Sequence, residues 1–349
     1  MPFLGSAHGA VSYGRARRGA SWVNGGVVTT LAGSGSASFA DGTGTNASFR
    51  YPSDAALLPD GNIVVAASHD HRIRIVTPAG VVTTLAGNSQ SFANGTGTNA
   101  GFNYPSGVAV IPSANIIVVA DQGNHRIRLV TYPGGVVTTL AGSGSQTFAD
   151  GTGAGASFSS VSGVAILPDG NLVVPDPGNN RIRLVTYPGG VVTTLAGSGS
   201  PAFADGTGAG ASFNNPIGVA ILPDGNIVVP DFANHRIRLV TYPGGVVTTI
   251  AGSSPGFANG TGTSASFGDP IRVAVTSTGV IVVSDRGNQR VRLVTYPGGV
   301  VTTLAGGSGG GVDGTGTAAG FLSPVGLFIA PSGTIVLVDQ DGCRIRLIT

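Results

Sequence analysis

The 349-residue chain carries a formal net charge of +2 and contains 59 glycines, but it has no lysine and no glutamate. All 18 basic residues are arginine and all 16 acidic residues are aspartate, so two strong helix formers are missing while valine, threonine and glycine are abundant. This composition excludes a mainly helical protein and favours strands joined by tight turns. Cys343 is the only cysteine, which excludes an internal disulfide.

Residues 1–25 are predicted to be an N-terminal tail, since they hold Arg15, Arg17 and Arg18 but no sustained apolar stretch. The tail lacks the pattern of an intact secretory signal. Apolar runs elsewhere are far shorter than the roughly 20 residues that span a bilayer, so we expect no membrane span. The rest of the chain holds 15 Arg against 16 Asp, a balance that disfavours nucleic acid as a partner.

Residues 26–349 contain a repeat that recurs six times in steps of 54 or 55 residues. The tetrapeptide Val-Val-Thr-Thr begins at Val27, Val81, Val136, Val191, Val246 and Val300. A second marker, Arg-Ile-Arg or Arg-Val-Arg, begins at Arg72, Arg126, Arg181, Arg236, Arg290 and Arg344. Fixed periods of this size are typical of solenoids, propellers and arrays.

The second complete unit shows four predicted strands, Gly107–Ile111, Asn115–Ala120, Arg126–Thr131 and Val136–Ala141, separated by turn residues. We therefore predict an all-β fold, a six-bladed β-propeller of four-stranded antiparallel blades. Each blade is followed by a long glycine-rich loop, and six such loops would crown one face of the ring. Phenylalanines such as Phe148 and Phe158 are expected to fasten these loops to neighbouring blades.

The phase of the repeat predicts how the ring closes. The chain enters at a fourth-type strand, Val27–Ala32, and leaves after a third-type strand, Arg344–Thr349. We predict that the N-terminal strand completes the last blade of its own molecule, which leaves no open sheet edge. Pairing of this strand with a neighbouring molecule is the alternative.

The segment from Asn115 to Arg128 resembles the core motif of the NHL-repeat family, through Asp121 and Asn124-His125-Arg126-Ile127-Arg128. The resemblance covers about Gly26 to Thr349 and implies an NHL-type propeller over residues 26–349. Ala67 departs from it, because the other units have aspartate there. The resemblance also implies two alternative functions: some such propellers bind RNA on the loop face, and members with lyase or lactonase activity hold metal ligands in the central channel.

Asp54 and Arg272 are the best candidates for a ligand site, because they stand where four other units have Gly107, Gly163, Gly218 and Gly326. The inner strands otherwise offer nothing titratable, and no set of channel metal ligands can be assigned. We therefore predict no catalytic residue, no metal site and no cofactor.

His71, His125 and His235 precede the Arg-x-Arg marker in a turn at the top face, where the third strand starts. Two strand spacings of about 4.8 Å separate this position from the inner strand, so equivalent residues should lie roughly 10 Å or more apart. Zinc ligands lie at about 2.0–2.3 Å from the metal, which excludes a shared zinc site. We expect hydrogen bonds within each turn instead.

The twelve arginines of the Arg-x-Arg markers would form two rings of six. Aspartates are repeated with them, among them Asp121 and its equivalents and the loop residues Asp41 and Asp150. The matching numbers favour structural ion pairs and hydrogen bonds over an exposed phosphate-binding surface.

Residues 126–145 and 181–200 are identical, so the units have hardly diverged. A nearly six-fold surface suits repetitive contacts better than one specialised pocket. We predict a non-enzymatic protein-binding or structural scaffold, working through the loop face and the N-terminal tail by binding a protein or by self-association into an extracellular homo-oligomer or fibre. Sequons at Asn46, Asn94 and Asn259 favour a secreted setting and add a glycan as a candidate partner.

Overall fold

The computed structural model describes residues 25–349, so nearly all of the predicted tail lies outside the described residues. Thirty strands form six antiparallel sheets of five strands each, which we number as blades 1 to 6 in chain order. The six-bladed propeller predicted from the repeat is confirmed.

The strands, in chain order, have the following bounds. β1 (Val27–Ala32) comes first and belongs to blade 6. Blade 1 contains β2 (Gly42–Thr43), β3 (Pro52–Leu57), β4 (Ile63–Ala67), β5 (Arg72–Val76) and β6 (Val81–Ala86). Blade 2 contains β7 (Gly95–Thr96), β8 (Pro105–Ile111), β9 (Ile116–Asp121), β10 (Arg126–Thr131) and β11 (Val136–Ala141). Blade 3 contains β12 (Gly151–Thr152), β13 (Ala165–Ile166), β14 (Leu172–Asp176), β15 (Arg181–Val185) and β16 (Val191–Ala196).

Blade 4 contains β17 (Gly206–Thr207), β18 (Ala220–Ile221), β19 (Ile227–Asp231), β20 (Arg236–Val240) and β21 (Val246–Ala251). Blade 5 contains β22 (Gly260–Thr261), β23 (Pro270–Val275), β24 (Ile281–Asp285), β25 (Arg290–Val294) and β26 (Val300–Gly306). Blade 6 contains β27 (Gly314–Thr315), β28 (Pro324–Ile329), β29 (Ile335–Asp339), β30 (Arg344–Ile348) and β1. Three-residue 3-10 turns lie at Gly44–Asn46, Ser68–Asp70, Gly97–Asn99, Pro112–Ala114, Gln122–Asn124, Gly153–Gly155, Pro177–Asn179, Gly208–Gly210, Phe232–Asn234, Gly262–Ser264, Arg286–Asn288 and Gly316–Ala318.

Each blade has one strand more than the sequence predicts. The loop before each inner strand contributes a Gly-Thr pair, such as β7, which hydrogen-bonds outside the fourth strand of the same blade. The four predicted strands of blade 2 are present, with bounds shifted by at most two residues.

The inner strands of blades 3 and 4 shrink to two residues, and prolines explain the loss. Pro175 and Pro230 stand in the second strands where blade 2 has Ala120, which pairs with Gly107 of its inner strand. Proline has no backbone N–H to give to the neighbouring strand, so continuous pairing is limited to the two residues farther along, with one isolated bridge between Pro216 and Asp231 in blade 4.

The ring closes as predicted. β1 pairs with β30 in antiparallel register, with Val28 opposite Ile348, and also with the outermost β27. The core consists of clusters of buried side chains between adjacent blades, such as Val118 and Leu140 of blade 2 with Phe158 and Val174 of blade 3. The loop face, defined by the interblade loops and the turns between second and third strands, lies at the end where each inner strand begins.

Candidate functional site

The inner strands approach one another closely at their loop-face ends, where small residues surround the axis. At Gly107, a side chain would collide with the Ser162 carbonyl of the next blade. Glycine is therefore required by close approach at this position. Asp54 and Arg272 are the two exceptions predicted from the sequence, and both reach into the axis, where they meet.

Arg272 and Asp54 form a buried ion pair, with Arg272 Nε 3.5 Å from Asp54 Oδ2. Arg272 Nη1 donates to the carbonyl of Ile217 at 2.8 Å, and Nη2 donates to those of Ser106 at 2.8 Å and Ser162 at 2.6 Å. Asp54 Oδ2 also accepts the N–H of Val108 at 3.2 Å. The pair thus connects blades 1 to 5 across the axis.

Burial dominates the electrostatics of this pair. It raises the pKa of Asp54 and lowers the pKa of Arg272, and each partner partly offsets the shift of the other. A cavity of about 320 Å³ runs from the pair along the inner strands towards Leu57 and Pro112, with mostly apolar walls. The hydrogen bonds of both side chains are directed at the protein, so the arrangement is that of a plug at the loop-face end of the channel.

The second arginine of each marker is completely buried, and it ties the interblade loop to the blade. Arg183 is typical: its guanidinium pairs with Asp176 at 2.8 Å and with Asp150 at 2.6 Å, and it donates to the carbonyls of Ser157 and Ala149. The equivalents are Arg74, Arg128, Arg238, Arg292 and Arg346, all fully buried. The predicted structural role is confirmed for this ring.

Blade 1 keeps the same arginine contact although Ala67 replaces the aspartate. Asp70, three residues later, supplies the carboxylate instead: it accepts the N–H of Arg50 at 3.1 Å and lies 3.6 Å from Arg74. In blade 2 the corresponding two positions are Asp121 and Asn124. The carboxylate of blade 1 therefore comes from three residues later in the chain, and it lies farther from its arginine than Asp121 does from Arg128, at 3.6 against 2.7 Å.

The three histidines lie in the left-handed region, with φ between 53° and 55°, which ends the preceding 3-10 turn. His71 Nδ1 accepts the N–H of Tyr104 at 3.2 Å, and His125 Nδ1 accepts that of Ser160 at 3.1 Å. His235 Nδ1 contacts the Gly268 carbonyl. Each side-chain contact goes to the next blade, whereas the backbone N–H of each histidine donates within its own turn. The expectation of bonds within the turn is therefore confirmed for the backbone and wrong for the side chains.

The first arginine of the marker is partly exposed and stacks on a loop phenylalanine in blades 1 to 5. Arg126 lies 3.8 Å from the centroid of Phe92, and Arg181 lies 3.9 Å from that of Phe148. Five such rings remain 43–48% exposed, namely Phe39, Phe92, Phe148, Phe203 and Phe257. The second loop phenylalanine, such as Phe158, is instead buried in the core. Only the buried set fastens the loops by core packing as predicted.

The three sequon asparagines are exposed on the interblade loops. Asn46 ends a 3-10 turn. Asn94 and Asn259 occupy the position of Asp150 and accept hydrogen bonds from Arg128 and Arg292 at 2.9 and 2.8 Å through their amide oxygens. Their glycosylation stays a prediction.

A pocket of about 440 Å³ on the loop face of blade 1 was missed at the level of sequence. It is lined by Arg50, His69, His71, Arg72 and Phe39, among others. The signal that could have found it is a break in the repeat, since Arg50 and His69 have no counterparts in the other blades.

Within residues 25–349, no three side chains among His, Cys, Asp and Glu converge in an arrangement suited to a metal ion. No described helix is long and apolar enough to cross a membrane.

The protein is thus a six-bladed β-propeller. Its ring is closed by β1, its axis is occupied by the Asp54–Arg272 pair, and its loop face carries the exposed phenylalanines. The NHL repeat model matches residues 49–76, 102–128, 213–238 and 267–292, which cover the cores of blades 1, 2, 4 and 5. The predicted NHL-type repeat is confirmed for these four blades.

Two curated relatives share this region. The chain is 28% identical to the chloroplastic protein SUPPRESSOR OF QUENCHING 1 of Arabidopsis thaliana over 76% of its own length and 27% of the relative's. It is 26% identical to NHL repeat-containing protein 2 of Gallus gallus over 82% of its own length and 44% of the relative's. The chain thus spans less than half the length of either relative.

Solved structures share the fold. A structural genomics protein of unknown function from Bacteroides thetaiotaomicron superposes with a TM-score of 0.73 at 20% identity, over 93% of this chain and 76% of that one. A gluconolactonase from Xanthomonas campestris superposes with a TM-score of 0.64 at 12% identity, over 96% of this chain and 93% of that one.

Proposed function

We propose that this propeller is a non-catalytic binding module that presents its loop face to a protein partner, self-association included. The observation that carries the proposal is the ladder of exposed phenylalanines, each stacked on an arginine, which repeats on five of the six blades. Aromatic residues and arginine are enriched in protein interfaces. A repeated pair of this kind suits multivalent contact with a partner that is itself repetitive.

The Asp54–Arg272 plug argues against the enzyme alternative. In a propeller that acts through its channel, polar groups near the axis must be free to meet a substrate. Here Arg272 donates its hydrogen bonds to the carbonyls of Ser106, Ser162 and Ile217 instead. Similarity to the gluconolactonase is a similarity of fold, which many functions share.

The proposal is tested by comparing binding of wild-type protein with that of a loop-face variant and a matched variant of the opposite face. F92S, F148S and F203S together remove three rings that are already exposed, so folding should survive. Asp60 and Asp169, which bond the hydroxyls of Tyr132 and Tyr242 on the opposite face, are replaced by alanine in the control. Affinity capture with cross-linking from the native source, and sedimentation velocity for self-association, should show binding lost only in the phenylalanine variant.

Equal binding by the phenylalanine variant and wild type would contradict the proposal, as would equal loss in both variants. The secreted setting is part of the proposal and rests on the three sequons. An intact mass of native protein that matches the bare polypeptide would remove its support.

A further inference from the structure

Blade 1 differs from the other five blades at two positions on the loop face. Arg50 stands where the others have Asn103, Ser159, Asn214, Gly268 and Leu322. His69 stands where the others have Gly123, Gly178, Ala233, Gly287 and Asp341. Both residues line the same pocket of about 440 Å³, so two independent breaks in the repeat coincide in space.

Two loops and one turn form the pocket. The loop after β1 supplies Ser38 and Phe39, the loop after β6 supplies residues 88–90, and the turn His69–Arg72 lies between them. Phe39 gives an apolar wall that is 44% exposed. Arg72 stacks 4.1 Å from the centroid of Phe39 and donates to Asn88 Oδ1 at 3.2 Å and to the Asp70 carbonyl at 2.8 Å.

The charge of the pocket is positive. Arg50 and Arg72 both face it, and the guanidinium of Arg50 makes no hydrogen bond or ion pair with any residue from 25 to 349. Asp70 also lines the pocket and interacts with both arginines, but its single buried carboxylate lies 3.6 Å from Arg74 and accepts the N–H of Arg50, so it offsets only part of the positive charge. A cation would be repelled here, whereas an anion would meet an arginine whose hydrogen-bonding capacity is unused.

A stack of aromatic rings fixes one wall. His69 packs edge to face between Tyr51 and Tyr104 at centroid distances of 4.8 and 4.9 Å, and Tyr104 packs against His71 at 4.7 Å. Both tyrosines have φ near +49°, a left-handed conformation that is rare for bulky side chains. Ser160 and Asn215, the equivalent residues of blades 3 and 4, are left-handed as well, so this conformation belongs to the repeat and only the aromatic side chains are particular to this wall.

We propose that this pocket, bounded by Arg50, His69 and Phe39, binds a small organic carboxylate. The planar carboxylate matches the fork of the Arg50 guanidinium, which can donate two parallel hydrogen bonds to its oxygens. The apolar part of the ligand lies on the exposed ring of Phe39. This site is separate from the channel. It shares the Phe39–Arg72 pair with the exposed phenylalanine–arginine pairs of the loop face, but carboxylate binding does not rest on their protein-binding role.

The test is a titration followed by NMR, with benzoate as the probe and uncharged benzamide as its control. Benzoate should shift the Nε–Hε signals of Arg50 and Arg72 and the backbone signals of residues 69–72 saturably, at concentrations up to about 20 mM. R50N and H69G install the residues that blade 2 carries at these positions, so both variants should fold. Binding should weaken about tenfold or more in R50N, because one charge-assisted contact is lost.

R286Q is the matched control, since Arg286 is a partly exposed arginine of the equivalent turn in blade 5, paired with Asp269 at 3.1 Å. It should leave the affinity for benzoate unchanged. The proposal is overturned if benzoate shifts do not saturate, if benzamide produces the same shifts, or if R50N binds as well as wild type. Saturable binding of inorganic phosphate with no binding of benzoate would also overturn the carboxylate assignment.

Discussion

At the scale of single residues, Asp54 and Arg272 show how two exceptions to a repeat can depend on each other. Each would be a buried charge without a counter-ion if the other were absent, and breaking such a pair costs about 3–5 kcal/mol. Replacing both by neutral residues avoids that penalty.

We therefore predict that D54N lowers the free energy of unfolding by about 3 kcal/mol, because Arg272 is left buried and unpaired. D54G/R272G, which restores the glycine of the other four blades, should cost clearly less than the sum of D54G and R272G. Urea denaturation measures all four variants. A neutral D54N, or strict additivity in the double variant, would mean that the pair is not energetically coupled.

The histidine turns predict a dependence of stability on pH. Burial is the main cause of the lowered pKa values of His71 and His125, and both Nδ1 atoms accept a backbone N–H only when the ring is neutral. Their contribution to stability is therefore present above the ordinary pKa of about 6.5 and is lost as the pH falls through the lowered folded-state pKa.

H71N/H125N should flatten this dependence. Asn180 already plays the same part in blade 3, where its Oδ1 accepts the N–H of Asn215 at 3.0 Å without titrating. Burial raises the pKa of Asp121 and of Asp176, so these groups make stability fall as the pH rises. This opposite contribution is the same in wild type and in H71N/H125N. Thermal unfolding between about pH 5 and 7.5 should show a smaller loss on acidification in the variant. Parallel curves would refute this role for the histidines.

At the scale of strands, β1 is the element on which ring closure depends. Its pairing with β30 and β27 completes blade 6, and Val27 and Thr349 exchange two backbone hydrogen bonds of 3.0 Å. Without it, β30 has an open edge that invites pairing with another molecule.

Deletion of residues 1–33 should therefore lower the melting temperature and produce concentration-dependent association, as measured by calorimetry and light scattering. Deletion of residues 1–24 alone leaves β1 in place and isolates the contribution of the strand. A protein without residues 1–33 that stays monomeric and as heat-stable as its parent would show that β1 is dispensable.

The strands also show what the sequence could and could not predict. A period of 55 residues and alternating apolar positions predict six blades, and the phase of Val27–Ala32 against Arg344–Thr349 predicts closure, because both signals extend over many residues. The Gly-Thr strands are too short to carry a periodic signal. The carbonyls that Arg272 reaches, such as that of Ser106, lie up to 166 residues away and depend on the ring geometry. The pocket at Arg50 forms where two loops meet beside the turn His69–Arg72, so it too depends on the ring geometry and could not be predicted from the sequence pattern.

At the scale of the whole molecule, the ring is held by two kinds of join. The chain itself crosses all six boundaries between neighbouring blades, including the one between blades 6 and 1. The first and last described strands meet inside blade 6, where β1 pairs with β30. The gap in the chain is thus bridged by a ladder of backbone hydrogen bonds in addition to side-chain packing.

Two circular permutants separate these contributions. In both, Thr349 is linked to Gly25 by a short glycine-serine linker. Opening the chain between Gly134 and Gly135 places the new break inside blade 2, between β10 and β11, and so reproduces the natural phase. Opening it between Ser145 and Gln146, which are exposed, places the break between blades 2 and 3. No strand ladder bridges this boundary, which is held by side chains such as Phe158 and Leu140 and by the backbone hydrogen bonds from Gly142 to Gly153 and from Ser143 to Ala156.

We predict that the first permutant unfolds in urea near the midpoint of the parent, and that the second folds but unfolds at a lower midpoint with a broader transition. The physical reason is that opening the second permutant breaks no strand ladder, so blades can separate one boundary at a time and cooperativity falls. Equal midpoints for the two permutants would mean that packing between blades alone closes the ring. In that case, the pairing of β1 with β30 would matter only for covering a strand edge.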